Sequence, residues 1–141
     1  MSTGCAHYML EKYLETLCNE LSISPVPARN KEKCYLLPFN DTIIAKFIDL
    51  DPGISVSSPL CDCPKGHREE LLIWVMRANL LGQGTGGCRI GLEPSEKVLT
   101  LSLGLPYEMN YPIFKEKFEG FINYIIYWRE EIAKFEQQGT Q

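Results

Sequence analysis

The sequence predicts a single α+β domain with the element order α-β-β-β-α-β-β-α, in which helices pack against a twisted antiparallel sheet. Three segments repeat apolar residues at helical spacing, and five short apolar or alternating segments lie between turn-forming residues. The 141 residues suffice for one ordinary domain, and 45% hydrophobic with 23% charged residues is a typical globular balance. We expect residues 1–135 to form this domain and residues 136–141 to be a flexible C-terminal tail.

The first helix is predicted over Ala6–Leu21, where four leucines recur at helical spacing and Tyr13 and Cys18 widen the apolar stripe. These leucines are Leu10, Leu14, Leu17 and Leu21. Pro25 and Pro27 end the helix, because proline lacks the backbone N–H that a helix interior needs.

A three-stranded meander is predicted next, over Cys34–Phe39, Thr42–Leu50 and Ile54–Leu60. Asn40-Asp41 suits a two-residue hairpin turn, because both residue types tolerate left-handed backbone conformations, and Asp51-Pro52-Gly53 is a strong turn signal. Both faces of the second strand are mostly apolar, so one face is free to meet something other than the core.

The second helix is predicted over about Lys65–Leu81, and a glycine-rich turn, Gly82–Gly87, follows it. Phosphate-binding glycine loops follow a strand and open a helix, whereas these glycines follow a helix. The pattern therefore favours a helix C-cap with a tight return into the sheet over a nucleotide site. A hairpin of Cys88–Glu93 and Lys97–Leu105, turning at Pro94-Ser95, completes the predicted sheet.

The third helix is predicted from near Asn110, a favourable N-cap, to about Phe135. Pro112 suits its first turn, because the fixed φ angle of proline is already helical there. Apolar side chains continue along this segment with a period of 3.6 residues, at Phe114, Phe118, Phe121, Ile125, Trp128 and Ile132. One face of the helix is therefore expected to be buried.

The charge pattern limits the class of partner. The chain has 14 basic and 18 acidic residues, a net charge of −4, and no clustered basic surface of the kind that binds nucleic acid. No segment has the ~20 apolar residues of a membrane span, and residues 1–20 lack a signal-peptide pattern. We expect a cytoplasmic protein with no membrane insertion and reduced cysteines.

Patterns for catalysis or metal binding are weak. The two histidines, His7 and His67, belong to no recognisable nucleophile or acid–base signature, so we expect no enzyme activity, no catalytic residues and no cofactor. Cys61, Cys63 and His67 offer three metal ligands within seven residues, but a structural zinc site usually needs four. The pattern favours a strand end that runs into a turn at Pro64, with zinc binding as the alternative.

Three passages follow one another in the order helix, glycine turn and strand. They are Leu72–Leu81 with Ala78-Asn79-Leu80, then Thr85-Gly86-Gly87, then Ile90-Gly91-Leu92. This order resembles the Tir-chaperone-like family of class I type III secretion chaperones. The amphipathic first helix and the aromatic-rich last helix are similar to that family too, so the match in element order covers about residues 6–135. The six cysteines and the Cys61-Asp62-Cys63-Pro64 passage depart from its pattern.

The resemblance implies a chaperone for one or more secreted effector proteins. It would hold the N-terminal chaperone-binding segment of an effector extended, soluble and competent for secretion, without ATP hydrolysis. An extended segment can add a strand to a sheet edge while apolar pockets take its side chains. The predicted partner-binding residues, each of which also suits the sheet core, are Leu10, Tyr13, Leu36, Ile43, Ala45 and Phe47.

The resemblance also implies a dimer formed through the second helix and the strands after it. The predicted interface residues are Val75, Met76, Asn79 and Leu80, because a helix that is apolar on more than one side needs a second surface to cover it. We expect a homodimer, with a heterodimer of related chaperones as the alternative. The alternative function is a regulatory adaptor of the same fold that binds a transcriptional or RNA-binding regulator.

Overall fold

The computed structural model contains three helices and five strands. The helices are α1 (Ser2–Leu21), α2 (Arg68–Leu81) and α3 (Tyr111–Gly139), and the strands are β1 (Cys34–Pro38), β2 (Ile44–Asp49), β3 (Ile54–Asp62), β4 (Arg89–Leu92) and β5 (Val98–Leu105). The structure describes residues 2–50, 53–81, 87–106 and 109–139, with the side chains of 9–50, 53–80, 87–106 and 109–138. The predicted α+β class and element order are confirmed.

The strands form one open sheet in the order β1-β2-β3-β5-β4. The pairs β1–β2, β2–β3 and β4–β5 are antiparallel, as expected for strands joined by short turns. The strands β1 and β4 are therefore the two edges of the sheet.

The first of two compact units comprises Met1–Ser58 and Gly104–Phe118. Its core is aromatic: the ring centroid of Phe47 on β2 lies 5.9 Å from that of Phe114 and 5.8 Å from that of Phe118. Tyr13 of α1 lies 5.1 Å from Phe114. Three of the predicted helical leucines, Leu10, Leu14 and Leu17, are buried here with at most 1% exposure.

The second unit comprises Pro59–Leu103 and Glu119–Gln141. Trp74 of α2 packs beside Trp128 of α3, with ring centroids 5.1 Å apart. The Arg129 side chain donates from Nε to the Leu60 carbonyl at 2.7 Å and from Nη2 to the Pro59 carbonyl at 3.1 Å. These bonds connect α3 to the second half of β3.

The turn between β1 and β2 corrects the prediction of a two-residue turn at Asn40-Asp41. The Phe39 N–H donates to the Ile43 carbonyl at 3.0 Å, so the turn is longer. The Asn40 Oδ1 accepts the N–H groups of Thr42 and Ile43, both at 2.8 Å. This side chain supplies hydrogen bonds that a tighter turn would have made through the backbone.

The start of α3 confirms the predicted N-cap, and its end corrects the predicted one. The Asn110 Oδ1 accepts the Ile113 N–H at 3.0 Å. The helix continues to Gly139 instead of ending near Phe135. The reason is tertiary, because Phe135 stacks on Trp74. Flexibility of the last residues stays a prediction, and residues 140–141 lie outside the described part.

The start of α2 also differs from the prediction, since the helix begins at Arg68 instead of near Lys65. His67 has a φ angle of +55°, which is not helical, while its carbonyl accepts the Leu71 N–H at 3.1 Å. His67 therefore acts as the N-cap residue. The predicted glycine-rich turn lies outside the described residues except for Gly87.

Candidate partner-binding surfaces

The six predicted partner-binding side chains lie in different environments. Four of them have at most 1% of their surface exposed, namely Leu10, Ile43, Ala45 and Phe47. These four belong to the core of the first unit, and their role in partner binding stays a prediction. Tyr13 is half-buried and donates its hydroxyl to the Met109 carbonyl at 2.6 Å. Leu36 is 48% exposed, so the structure favours it among the six.

The exposed side chains of β1 and β2 lie on the face of the sheet opposite to Ala45 and Phe47. We call this block the outer strip: Leu36, Pro38, Ile44 and Lys46. The register pairs Leu36 with Lys46 and Pro38 with Ile44, so the four side chains are immediate neighbours on one face. Ile44 is 51% exposed. The outer strip therefore consists of three apolar side chains beside the ammonium group of Lys46.

The hydrogen bonds of β1 show which peptide groups point away from β2. The Asn30 Oδ1 accepts the Cys34 N–H at 3.0 Å, and the Asn30 N–H donates to the Cys34 carbonyl at 2.9 Å. In an antiparallel pair, the peptide groups of successive residues point alternately toward and away from the neighbouring strand. The N–H and C=O of Leu36, two residues after Cys34, therefore also point away from β2. Pro38 has the same outward parity and no N–H, as is typical of an edge strand. The outward-facing peptide groups of Leu36 thus lie beside its exposed side chain.

A hydrogen bond joins α1 to β1 beneath this edge. The Tyr35 hydroxyl donates to Glu11 Oε1 at 2.8 Å. Burial of the phenol, and then this bond to a carboxylate, raise the pKa of Tyr35 to about 12. The pair therefore positions β1 against α1 with a protonated phenol.

A second exposed apolar surface follows one side of α2, and we call it the α2 stripe: Ile73, Met76 and Leu80. These side chains are 51%, 67% and 79% exposed, and their spacing places them on one helical face. Of the other two predicted interface residues, Val75 is 3% exposed. Asn79 is half-buried and bonded to the backbone of Ile90.

Three exposed residues of these surfaces were missing from the predicted set, namely Pro38, Ile44 and Ile73. Ile44 could have been found from the alternation of β2, because it has the opposite parity to Ala45 and Phe47. Ile73 could have been found from its spacing of three and seven residues to Met76 and Leu80. For both isoleucines the pattern was visible, but the face that the core would cover was not.

The cysteine-rich end of β3 shows no assembled metal centre. Within the described part of the chain, no three His, Cys, Asp or Glu side chains are grouped as a metal would require. His67 lies 3.1 Å from Glu70, between Nδ1 and Oε2, and Cys63 is buried. Burial, followed by the charge of Glu136, raises the pKa of the Cys61 thiol to about 11.

None of the three helices, as far as they are described, combines the length and apolar character that crossing a bilayer requires.

The chain is similar in sequence to one known protein and similar in fold to several solved structures. A protein of Chlamydia pneumoniae designated CPj0713/CpB0740 is 24% identical over 127 residues, covering 89% of this chain and 97% of the relative. A chain of the HopA1–SchA chaperone–effector complex matches with a TM-score of 0.68 at 14% identity, covering 86% of this chain and 94% of that one. A chain of the complex between the Yersinia pestis type III secretion chaperone SycH and a stable fragment of YscM2 gives 0.62 at 12% identity, covering 82% and 96%.

The structural matches confirm the predicted fold. Their sequence identities of 14% and 12% are too low to support a shared function. The family evidence comes from the sequence itself, because the model of the Tir chaperone protein (CesT) family matches residues 12–129. This range includes both candidate surfaces and confirms the resemblance to class I type III secretion chaperones. The chain belongs to the Tir chaperone protein (CesT) family.

Proposed function

We propose that this protein is a cytoplasmic type III secretion chaperone that binds the N-terminal chaperone-binding segment of a secreted effector. It keeps this segment extended, soluble and competent for secretion without ATP hydrolysis. Membership of a chaperone family supports the general role. The likeness to a chain of a chaperone–effector complex supports an effector as the kind of partner.

The observation that carries this proposal is the position of Leu36. Its outward-facing peptide groups and its 48% exposed side chain lie together at the β1 edge. An extended segment pairs with these peptide groups and places alternate side chains over the outer strip, where Ile44 is 51% exposed. A carboxylate on the segment would lie near Lys46, the partner of Leu36 in the register.

The α2 stripe supports a dimer as the second part of the proposal. Three large apolar side chains on one helical face are more than half exposed in the single chain, and such a face is typical of an interface. In a two-fold dimer the same stripe meets itself, which makes the surface self-complementary. A homodimer is our proposal, and a related chaperone with a matching stripe would form the heterodimer.

The test is affinity purification of the tagged full chain from its native cells, with bound proteins identified by mass spectrometry. We expect a secreted protein, retained through its N-terminal segment. The double variant Leu36→Asp/Ile44→Asp should reduce its recovery at least tenfold, because both charges would face an apolar segment. Ile113→Asp is the matched control, since Ile113 is 41% exposed but lies on α3. Recovery of folded cytoplasmic regulators alone, or equal recovery with the double variant, would contradict the proposal.

A further inference from the structure

We infer that Asn79 closes the β4 edge of the sheet to strand addition. The side chain of Asn79 on α2 reaches both peptide groups of one edge residue. Its Nδ2 donates to the Ile90 carbonyl at 2.8 Å, and its Oδ1 accepts the Ile90 N–H at 2.9 Å. The carboxamide therefore makes the two hydrogen bonds that a neighbouring strand would make.

The ladder between β4 and β5 shows that these are the edge-facing groups. The Glu93 N–H donates to the Val98 carbonyl at 3.0 Å, which continues the register that pairs Gly91 with Thr100. Peptide groups alternate in direction along the ladder, so Ile90 and Leu92 point away from β5. A strand added at this edge would use four groups, and Asn79 already occupies two of them.

An asparagine also bonds to an edge residue on β1, where Asn30 reaches Cys34 and leaves Leu36 open to an added strand. Asn30 at the β1 edge is exposed and lies in a loop, whereas Asn79 is half-buried on a helix. The Ile90 side chain is 4% exposed, which anchors β4 below the carboxamide. An unpaired edge is a template for association of sheets, and proteins commonly block such edges. These contacts within the second unit do not depend on the proposed function.

Hydrogen exchange followed by NMR tests the closure in the full chain. In the wild type we expect the Ile90 amide to be protected and the Leu92 amide, on the same side, to exchange faster. Asn79→Leu keeps a similar volume but removes both bonds, so exchange at Ile90 should rise at least tenfold. Asn79→Asp keeps the acceptor but loses the donor, so exchange at Ile90 should rise less than in Asn79→Leu. Equal exchange at Ile90 in the wild type and Asn79→Leu would overturn the inference.

Light scattering over a range of protein concentrations tests strand addition itself. Asn79→Leu should give a larger mass than the wild type at high concentration. Adding Leu92→Pro removes an outward-facing N–H and should reverse the increase. An unchanged mass for Asn79→Leu, or an increase that Leu92→Pro does not reverse, would overturn the inference. If circular dichroism shows that Asn79→Leu does not fold, Asn79→Asp serves in its place, since it leaves the Ile90 carbonyl open and should also raise the mass.

Discussion

Phe135 stacks on Trp74 in the second unit, with ring centroids 5.6 Å apart and ring planes 13° apart. Trp128 contacts the same indole at a centroid distance of 5.1 Å. Phe135 lies near the end of α3 and Trp74 in the middle of α2. The last turns of α3 are therefore part of the packed structure.

Phe135→Ala should lower the free energy of unfolding by roughly 2 kcal/mol, because it removes a half-buried ring and a stacked aromatic pair. Urea denaturation followed by tryptophan fluorescence measures this change and also reports the altered surroundings of Trp74. Phe135→Leu is the control and should lose about half as much, since it keeps most of the apolar volume. An unfolding free energy equal to that of the wild type would show that the stacking contributes nothing.

Alkaline pH should destabilise the protein through Tyr35. The pKa of Tyr35 is raised from 10.0 to about 12 in the folded protein, so the folded state favours the protonated phenol. Its contribution to stability is present below about pH 10 and is lost as the pH rises towards about 12. Tyr35→Phe should remove this dependence and weaken the junction of α1 with β1 by about 1–2 kcal/mol near neutral pH.

The measurement is the free energy of unfolding at several pH values between about 8 and 12. Tyr127→Phe is the matched control, because Tyr127 is 48% exposed on α3. A decrease of the same steepness in the wild type and Tyr35→Phe would show that other groups cause the alkaline loss.

Met76→Asp should convert a dimer into monomers of 16.1 kDa. Met76 is 67% exposed in the single chain and lies at the centre of the α2 stripe, so two aspartates would face one another in a two-fold interface. Burial of unpaired charges costs several kcal/mol, enough to dissociate such a dimer at micromolar concentration. Light scattering after size exclusion reports the mass, with Ile113→Asp as the control. A dimer mass for Met76→Asp would exclude the α2 stripe as the interface.

Cys61 should react slowly with alkylating reagents, because only the thiolate is nucleophilic and the pKa of this thiol is raised from 9.0 to about 11. At pH 8 the thiolate fraction is then roughly 100-fold lower than for a cysteine with the ordinary pKa. Peptide mapping by mass spectrometry gives the rate at Cys61 as a function of pH, and its midpoint should lie near pH 11.

The pH midpoint separates this effect from simple shielding, which slows the reaction equally at every pH. Glu136→Gln should lower the midpoint, because the charge of Glu136 raises the pKa of Cys61. Glu130→Gln, on an exposed position of α3, should leave it unchanged. A midpoint near pH 9 in the wild type would contradict the raised pKa that partial burial gives the Cys61 thiol.

Local patterns predicted the elements well where a single segment contains the whole signal. The Asn110 N-cap needs only the backbone of the next turn, and it was confirmed with the Ile113 N–H. The helix α3 continues four residues past its predicted end near Phe135. Phe135 is held by Trp74, which is distant in the chain. The turn at Asn40 was wrong because its side chain, and not the backbone alone, closes it.

The candidate surfaces were harder to predict than the elements. Leu36, Met76 and Leu80 were expected at surfaces and are exposed, while Val75 and Phe47 proved to be buried. A strand or helix with apolar side chains on both faces has the same sequence pattern whichever of the two faces packs against the core. The choice depends on which other elements pack there.

The order of the elements, the apolar positions along each element and the family could all be read from the sequence, because they depend on spacing along the chain. The exposed fractions of 0% for Phe47 and 51% for Ile44 became known from the folded chain. The folded chain also showed that the Asn79 side chain bonds to the backbone of Ile90, eleven residues away. Burial and hydrogen bonding between elements require the chain to be folded, since the partners meet only after the sheet and helices have assembled.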